Sequence, residues 1–194
     1  MSDFTTDWFT QNIDVWNTVL DDLKGKPIKA LELGSYEGRS ALWLTENILT
    51  HRDATLMCVD SWDGGGELKD HDWNDIFKRF KNNVKNQSKI SWTRSDTTSY
   101  LTENIYLNGS EGIFDLIYVD ASHFAPQTLI DCVLSHLVLK PGGIIIFDDY
   151  LIGGLLHTPT TPKTAIDAFM ECFAQEYDWL IMGYQVILRK KEIQ

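Results

Sequence analysis

Apolar runs of strand length alternate with longer amphipathic stretches along this chain of 194 residues. Residues 28–34, 55–60, 114–119 and 144–147 read as buried strands, and residues 89–95 alternate like a strand with one exposed face. Between them, residues 39–49, 72–84, 126–139 and 162–176 carry helical patterns. Pro141-Gly142-Gly143 stops one of these helices, and Pro162 opens the next with a threonine available as its cap. The first 24 residues also read as helical, with Trp8, Phe9, Ile13, Trp16, Val19 and Leu20 near a helical period, ended by Gly25 and Pro27. Residues 179–182 and 184–189 flank Gly183 and suit a terminal hairpin. Continuous apolar strands alternating with helices predict an α/β fold, a parallel sheet covered on both faces, as a single domain over residues 1–194. Ligands of such sheets bind beyond the carboxyl ends of the strands, so those ends hold the candidate chemistry.

The first strand runs into Glu32-Leu33-Gly34-Ser35-Tyr36-Glu37-Gly38-Arg39-Ser40. Two glycines between a strand and a helix allow a tight turn and a close approach to a ligand. The dinucleotide fingerprint with its three glycines is not met. Glu32 and Glu37 would repel a pyrophosphate and suit a cofactor bearing a sulfonium and an ammonium group. An ordinary glycine turn is the alternative. The second strand ends at Asp60, 28 residues after Glu32, where an acid can accept from both ribose hydroxyls. It leads into the loop Ser61-Trp62-Asp63-Gly64-Gly65-Gly66, in which Trp62 is placed to cover an adenine face. The third strand ends in Asp96-Thr97. Asp96 is a candidate acceptor for an adenine amine and equally a cap for the helix that follows.

The fourth and fifth strands, expected as neighbours, end in Asp120-Ala121-Ser122-His123 and Asp148-Asp149-Tyr150. Three carboxylates and an imidazole then gather at one rim. Carboxylate clusters favour hard divalent cations such as Mg²⁺, Mn²⁺ or Ca²⁺, here on Asp120, Asp148 and Asp149. Such a cation lowers the pKa of a bound hydroxyl, and His123 is positioned in sequence to take its proton. Successive strand residues face opposite sides, so Asp148 and Asp149 can both ligate only if the chain turns between them. His51, His71, His136 and His157 have no comparable setting.

Charge narrows the partners. Seventeen basic against 28 acidic residues leave a formal net charge of −11, which repels nucleic acid and anionic membranes. Cys58, Cys132 and Cys172 are odd in number and far apart, which argues against a disulfide framework and fits a reducing cytoplasm. Residues 1–10 are acidic and aromatic rather than a basic, apolar leader, and no apolar run approaches membrane-spanning length.

Taken together, Glu32-Leu-Gly34 through Gly38, Asp60, residues 114–123, Leu139-Lys-Pro-Gly-Gly143 and Phe147-Asp-Asp-Tyr150 resemble the class I S-adenosylmethionine-dependent methyltransferases. More narrowly, they are similar to the small-domain group related to macrocin-type sugar O-methyltransferases. The resemblance extends to residues 162–169 and 183–190. It implies a Rossmann-like, doubly wound sheet of seven strands, mostly parallel, with the last antiparallel. It implies O-methylation of a small-molecule hydroxyl, with Asp120 and His123 as catalytic residues. Glu32, Gly34, Ser35, Tyr36, Gly38, Ser40, Asp60, Ser61, Trp62, Asp96, Thr97 and Asp120 would surround S-adenosylmethionine, and Asp120, Asp148 and Asp149 a divalent cation. In catechol-type relatives the second acid of the last pair is asparagine, where this chain has Asp149. Sugar-type relatives carry long N-terminal regions for substrate and oligomer contacts, where this chain has about 25 residues, an N-terminal helical cap. The acceptor (a sugar, a polyketide-like compound, a catechol or a small lipid precursor) and homo-oligomerisation stay open. So do metal-independent transfer and a non-catalytic S-adenosylmethionine-binding role.

Overall fold

The computed structural model describes residues 2–66, 71–108, 112–152 and 161–192, so His157 lies outside the described residues. The chain divides into two compact units, Met1–Arg94 and Ser95–Gln194. Its strands form a seven-stranded sheet in the order β3-β2-β1-β4-β5-β7-β6.

In the first unit a short 3₁₀ turn leads into α1 (Ile13–Val19), followed by β1 (Lys29–Leu33), α2 (Arg39–Asn47), β2 (Thr55–Asp60), α3 (Trp73–Val84) and β3 (Ile90–Arg94). β2 pairs parallel with β1 and with β3. After an exposed Lys29, every residue of β1 is buried, as expected of a strand covered on both faces. α3 starts where Asp72 accepts from the amides of Asn74 and Asp75 at 3.1 Å, a side-chain cap, and it buries Ile76, Phe80 and Val84 at four-residue spacing.

The helix expected over the first 24 residues is shorter. Regular structure begins at Thr10, because the Asp7 carboxylate accepts from the Thr10 amide at 3.0 Å and its hydroxyl at 2.7 Å. The preceding residues form a strap tied to distant groups instead. The amide and hydroxyl of Thr5 both donate to Glu37 at 2.7 Å, and the amide of Asp3 donates to Asn83 at 2.8 Å. Behind the strap, Phe9 and Trp16 are buried against Trp43. These rings therefore fill core volume.

The second unit contains α4 (Thr97–Asn108), β4 (Phe114–Val119), α5 (Ala125–Val138), β5 (Leu139–Phe147), α6 (Pro162–Phe173), β6 (Tyr177–Met182) and β7 (Val186–Lys190). β4 and β5 run parallel, and β7 runs antiparallel to both β5 and β6. β5 starts at Leu139, not at Ile144, and takes Pro141-Gly142-Gly143 into the strand. Its register against β4 jumps from Phe114↔Leu139 to Leu116↔Ile144. That irregularity absorbs the proline and glycines, which a regular ladder would reject. A Cβ on Gly143 would lie 2.9 Å from the Lys140 carbonyl oxygen, so the bulge needs glycine there. Cys58, Cys132 and Cys172 are free thiols. Among the described residues no helix is long and apolar enough to cross a membrane.

Candidate active site

Two groups of strand ends carry the expected chemistry, one in each unit. In the first unit the turn after β1 is built around two carboxylates, Glu32 buried and Asp60 half-buried. Glu32 is fully buried, with Oε2 accepting from Ser35 Oγ at 2.7 Å and Oε1 from Ser40 Oγ at 2.6 Å. Burial pushes its carboxyl above the ordinary range, and the two serines and Cys58 partly offset this. At the end of β2, Asp60 Oδ2 accepts from the amides of Ser35 and Tyr36, both at 2.9 Å, and Oδ1 from the Trp62 amide at 2.7 Å. Burial raises this carboxyl too, against the pull of those three amides. The turn itself takes left-handed backbone at Gly34, Tyr36 and Gly38, with φ of 84°, 46° and 82°. Gly38 leaves little room for a side chain, since a Cβ there would lie 3.0 Å from the Phe80 ring, which would have to shift.

Trp62 departs from expectation. Its φ of 46° turns the indole inward, where it is fully buried against Phe77 and Phe80 and donates to the Tyr36 carbonyl at 2.9 Å. The ring seals the core of the unit and offers no face to an adenine. Ser61 instead bonds Asp63 at 2.6 Å.

In the second unit Asp96 does cap α4: its Oδ1 accepts from the Ser99 amide at 2.8 Å. Thr97 is buried and donates to Asp131 at 2.6 Å.

The ends of β4 and β5 border a small pocket whose lining includes Asp120, His123, Thr128, Asp148, Asp149 and Ile166. The chain does turn between the two acids: β5 ends at Phe147, and Asp149 has φ 56°. Donor atoms of Asp120, His123 and Asp149 all lie within 4.8 Å of one another. His123 Nε2 sits 2.7 Å from Asp149 Oδ2, and Tyr184 donates to Asp149 Oδ1 at 2.7 Å. Asp148, expected as a ligand, is outside this group. Its Oδ2 accepts from Tyr118 and from Gln185 at 2.9 Å, and its Oδ1 from the Asp149 amide at 2.7 Å. Tyr118 also lies 2.8 Å from Asp120. One phenolic proton thus serves two carboxylates. Burial and the neighbouring acids hold Asp120 well above the ordinary carboxylate range and raise Asp148. Burial would raise Asp149 as well, but His123 and the Tyr184 hydroxyl outweigh it, and its carboxyl lies low.

A sequence profile describing the methyltransferase domain matches residues 31–150. The chain belongs to that methyltransferase family. Solved structures agree on the fold. The O-methyltransferase TomG of Streptomyces achromogenes, in complex with SAM, is 14% identical with a TM-score of 0.71, over 96% of this chain and 82% of that one. An O-methyltransferase of Bacillus cereus, in complex with SAH, is 16% identical with a TM-score of 0.65, over 97% and 84%. The methyltransferase MycE of the mycinamycin pathway, in complex with Mg, SAH and mycinamycin VI, is 12% identical with a TM-score of 0.65. The match covers 96% of this chain but 50% of MycE. No curated protein matches in sequence.

In this methyltransferase the sequence pattern brings Asp120, His123 and Asp149 together and sets Gly34, Ser35, Tyr36, Gly38 and Asp60 around one turn. Glu32 and Ser40 bond each other beneath that turn. Tyr118, Tyr184 and Gln185 were not anticipated. Tyr118 stands two residues before Asp120 in a strand, so it shares a side with it, a signal the pattern held. Tyr184 and Gln185 come from the β6–β7 turn, and nothing local announces their approach. Of the other described histidines, His71 lies with its ring 6.3 Å from that of Tyr36, and His136 is buried with Nδ1 2.8 Å from the Tyr177 hydroxyl.

Proposed function

We propose that the chain transfers a methyl group from S-adenosylmethionine to a hydroxyl oxygen of a small molecule, acting as one catalytic domain. The observation that carries this reading is the convergence of Asp120, His123 and Asp149 on the lining of one pocket. Relatives of the same fold in complex with SAM and SAH support the donor. When bound, the donor supplies a methyl group on a sulfonium centre. Gly34, Ser35, Tyr36 and Gly38 would border its methionine part, with Glu32 and Ser40 holding the turn from below. Asp60 would take a ribose hydroxyl on the one lone pair its three amide donors leave, and Ser61 and Asp96 would lie toward the adenine, with Thr97 behind Asp96 and its hydroxyl on Asp131. His123 receives the acceptor's proton. The tautomer that donates from Nε2 to Asp149 makes Nδ1 the basic nitrogen, and Asp149 stabilises the imidazolium that results. No covalent intermediate is needed, and positioning and charge supply the rate.

A divalent cation fits the same side chains. Asp120, Asp148 and Asp149 bring three carboxylates to one imidazole and two phenolic protons, those of Tyr118 and Tyr184, and a cation would neutralise the acidic charge that remains. Asp120 and Asp149 would hold it, and it would supply Lewis acidity to the acceptor oxygen while His123 remains the base. The His123–Asp149 contact favours a second reading, in which that pair alone suffices as base and orienter.

Calorimetric titration with S-adenosylmethionine tests the donor. Micromolar-range binding, weakened at least about tenfold in Asp60→Ala, is expected; absence of binding by the wild type would overturn the reading. Turnover in an acceptor screen, with and without chelator, then separates the cation from the base pair.

A further inference from the structure

Within the second unit, α4 packs on α5, and a carboxylate with no cationic partner among the described residues lies between them. Asp131 is fully buried. Its Oδ1 accepts from Thr97 Oγ1 at 2.6 Å and from Gln127 Nε2 at 3.1 Å. Its Oδ2 and the Ser135 hydroxyl one turn later are both buried without a hydrogen-bond partner among the described residues. Burial lifts the Asp131 carboxyl to about 6, opposed by Thr97 and Gln127 and reinforced by Asp96. An apolar side chain of similar volume would fold at lower cost.

The far end of the Thr97 hydrogen bond gives this carboxylate a use. Thr97 is the first residue of α4, and Asp96 immediately precedes it as the cap. Gln127 also donates to Thr98 Oγ1 at 2.9 Å. Asp131 and Gln127 therefore clamp the first two residues of α4, the part of a helix that otherwise frays.

We infer that Asp131 is a positioning residue for adenine recognition: acting through Thr97, it holds Asp96 where its carboxylate accepts from the exocyclic amine. This rests on the proposed donor and on Asp96 as its adenine contact. Asparagine at position 131 keeps an oxygen for Thr97, whereas leucine does not.

The test compares S-adenosylhomocysteine with S-inosylhomocysteine, in which oxygen replaces the amine, by calorimetry. The wild type is expected to prefer the adenosyl ligand at least about tenfold, the worth of one good hydrogen bond. Asp131→Asn keeps that preference, and Asp131→Leu brings it close to unity without lowering the melting temperature. Thr97→Val cuts the same link from the other side and gives the same loss, which covers the case of an unfolded leucine variant. A merely structural role weakens both ligands equally and leaves the ratio intact; that result overturns the inference. If the wild type binds neither ligand, the donor reading falls and takes the inference with it. If the wild type shows the preference and Asp96→Ala keeps it, the inference alone is overturned.

Discussion

Asp149 occupies a backbone conformation, φ 56°, that L-residues adopt at a cost of about 1 kcal/mol or more. Its side chain shows what that conformation achieves, because His123 and Tyr184 each meet one of its oxygens at 2.7 Å. Tyr184→Phe removes one of these bonds and leaves the carboxylate free to rotate. In steady-state assays kcat should fall about tenfold with little change in KM for the donor, since Tyr184 touches only the base's partner. Asp131 makes a separate prediction. Its carboxyl is raised from 3.8 to about 6, so the folded state holds a proton that the unfolded chain releases earlier. The stability this gives is complete below pH 3.8 and is lost as pH rises through about 6. The gap corresponds to about 3 kcal/mol. Urea unfolding at pH 4 and pH 7 should show Asp131→Asn gaining on the wild type by most of that amount at the higher pH; equal differences at both would refute the assignment.

At the scale of elements, the turn between β1 and α2 is where backbone freedom and packing meet. Gly38 has φ 82°, and a Cβ there would lie 3.0 Å from Phe80 and 3.2 Å from Val84. Gly38→Ala should cost about 1–3 kcal/mol in denaturant unfolding and weaken donor binding, because the turn that Ser35 and Tyr36 share must shift. The elements themselves were legible wherever one local pattern decides them: β2 and β4 were anticipated residue for residue, and α2, α3 and α5 within about two residues. The failures share a cause. The strap before Thr10 follows Glu37 and Asn83, and the early start of β5 follows a register jump against β4. Trp62 and Asp148 were located correctly along the chain but not in direction. A φ of 46° turns the first inward, and Tyr118 and Gln185 draw the second away from the cluster. Local pattern places a residue on the rim; contacts distant in sequence decide which way it points.

The whole molecule carries a net charge of −11 and concentrates acids at its candidate site, so added salts act in two ways. Any salt screens the self-repulsion of such a surface and stabilises the compact state modestly. A cation bound by Asp120 and Asp149 would add a specific term, because binding only to the folded state stabilises it by mass action. At ten times its dissociation constant that term is about 1.4 kcal/mol, or roughly 3–6 °C in melting temperature for a chain of this size. Mg²⁺ should therefore raise the melting temperature beyond an NaCl control of equal ionic strength, and Asp149→Asn should abolish the excess while keeping the screening part. If the variant gains as much excess as the wild type, the cation binds elsewhere. If neither shows an excess, the cation reading loses its support, and the His123–Asp149 pair remains as the base that the acceptor hydroxyl meets.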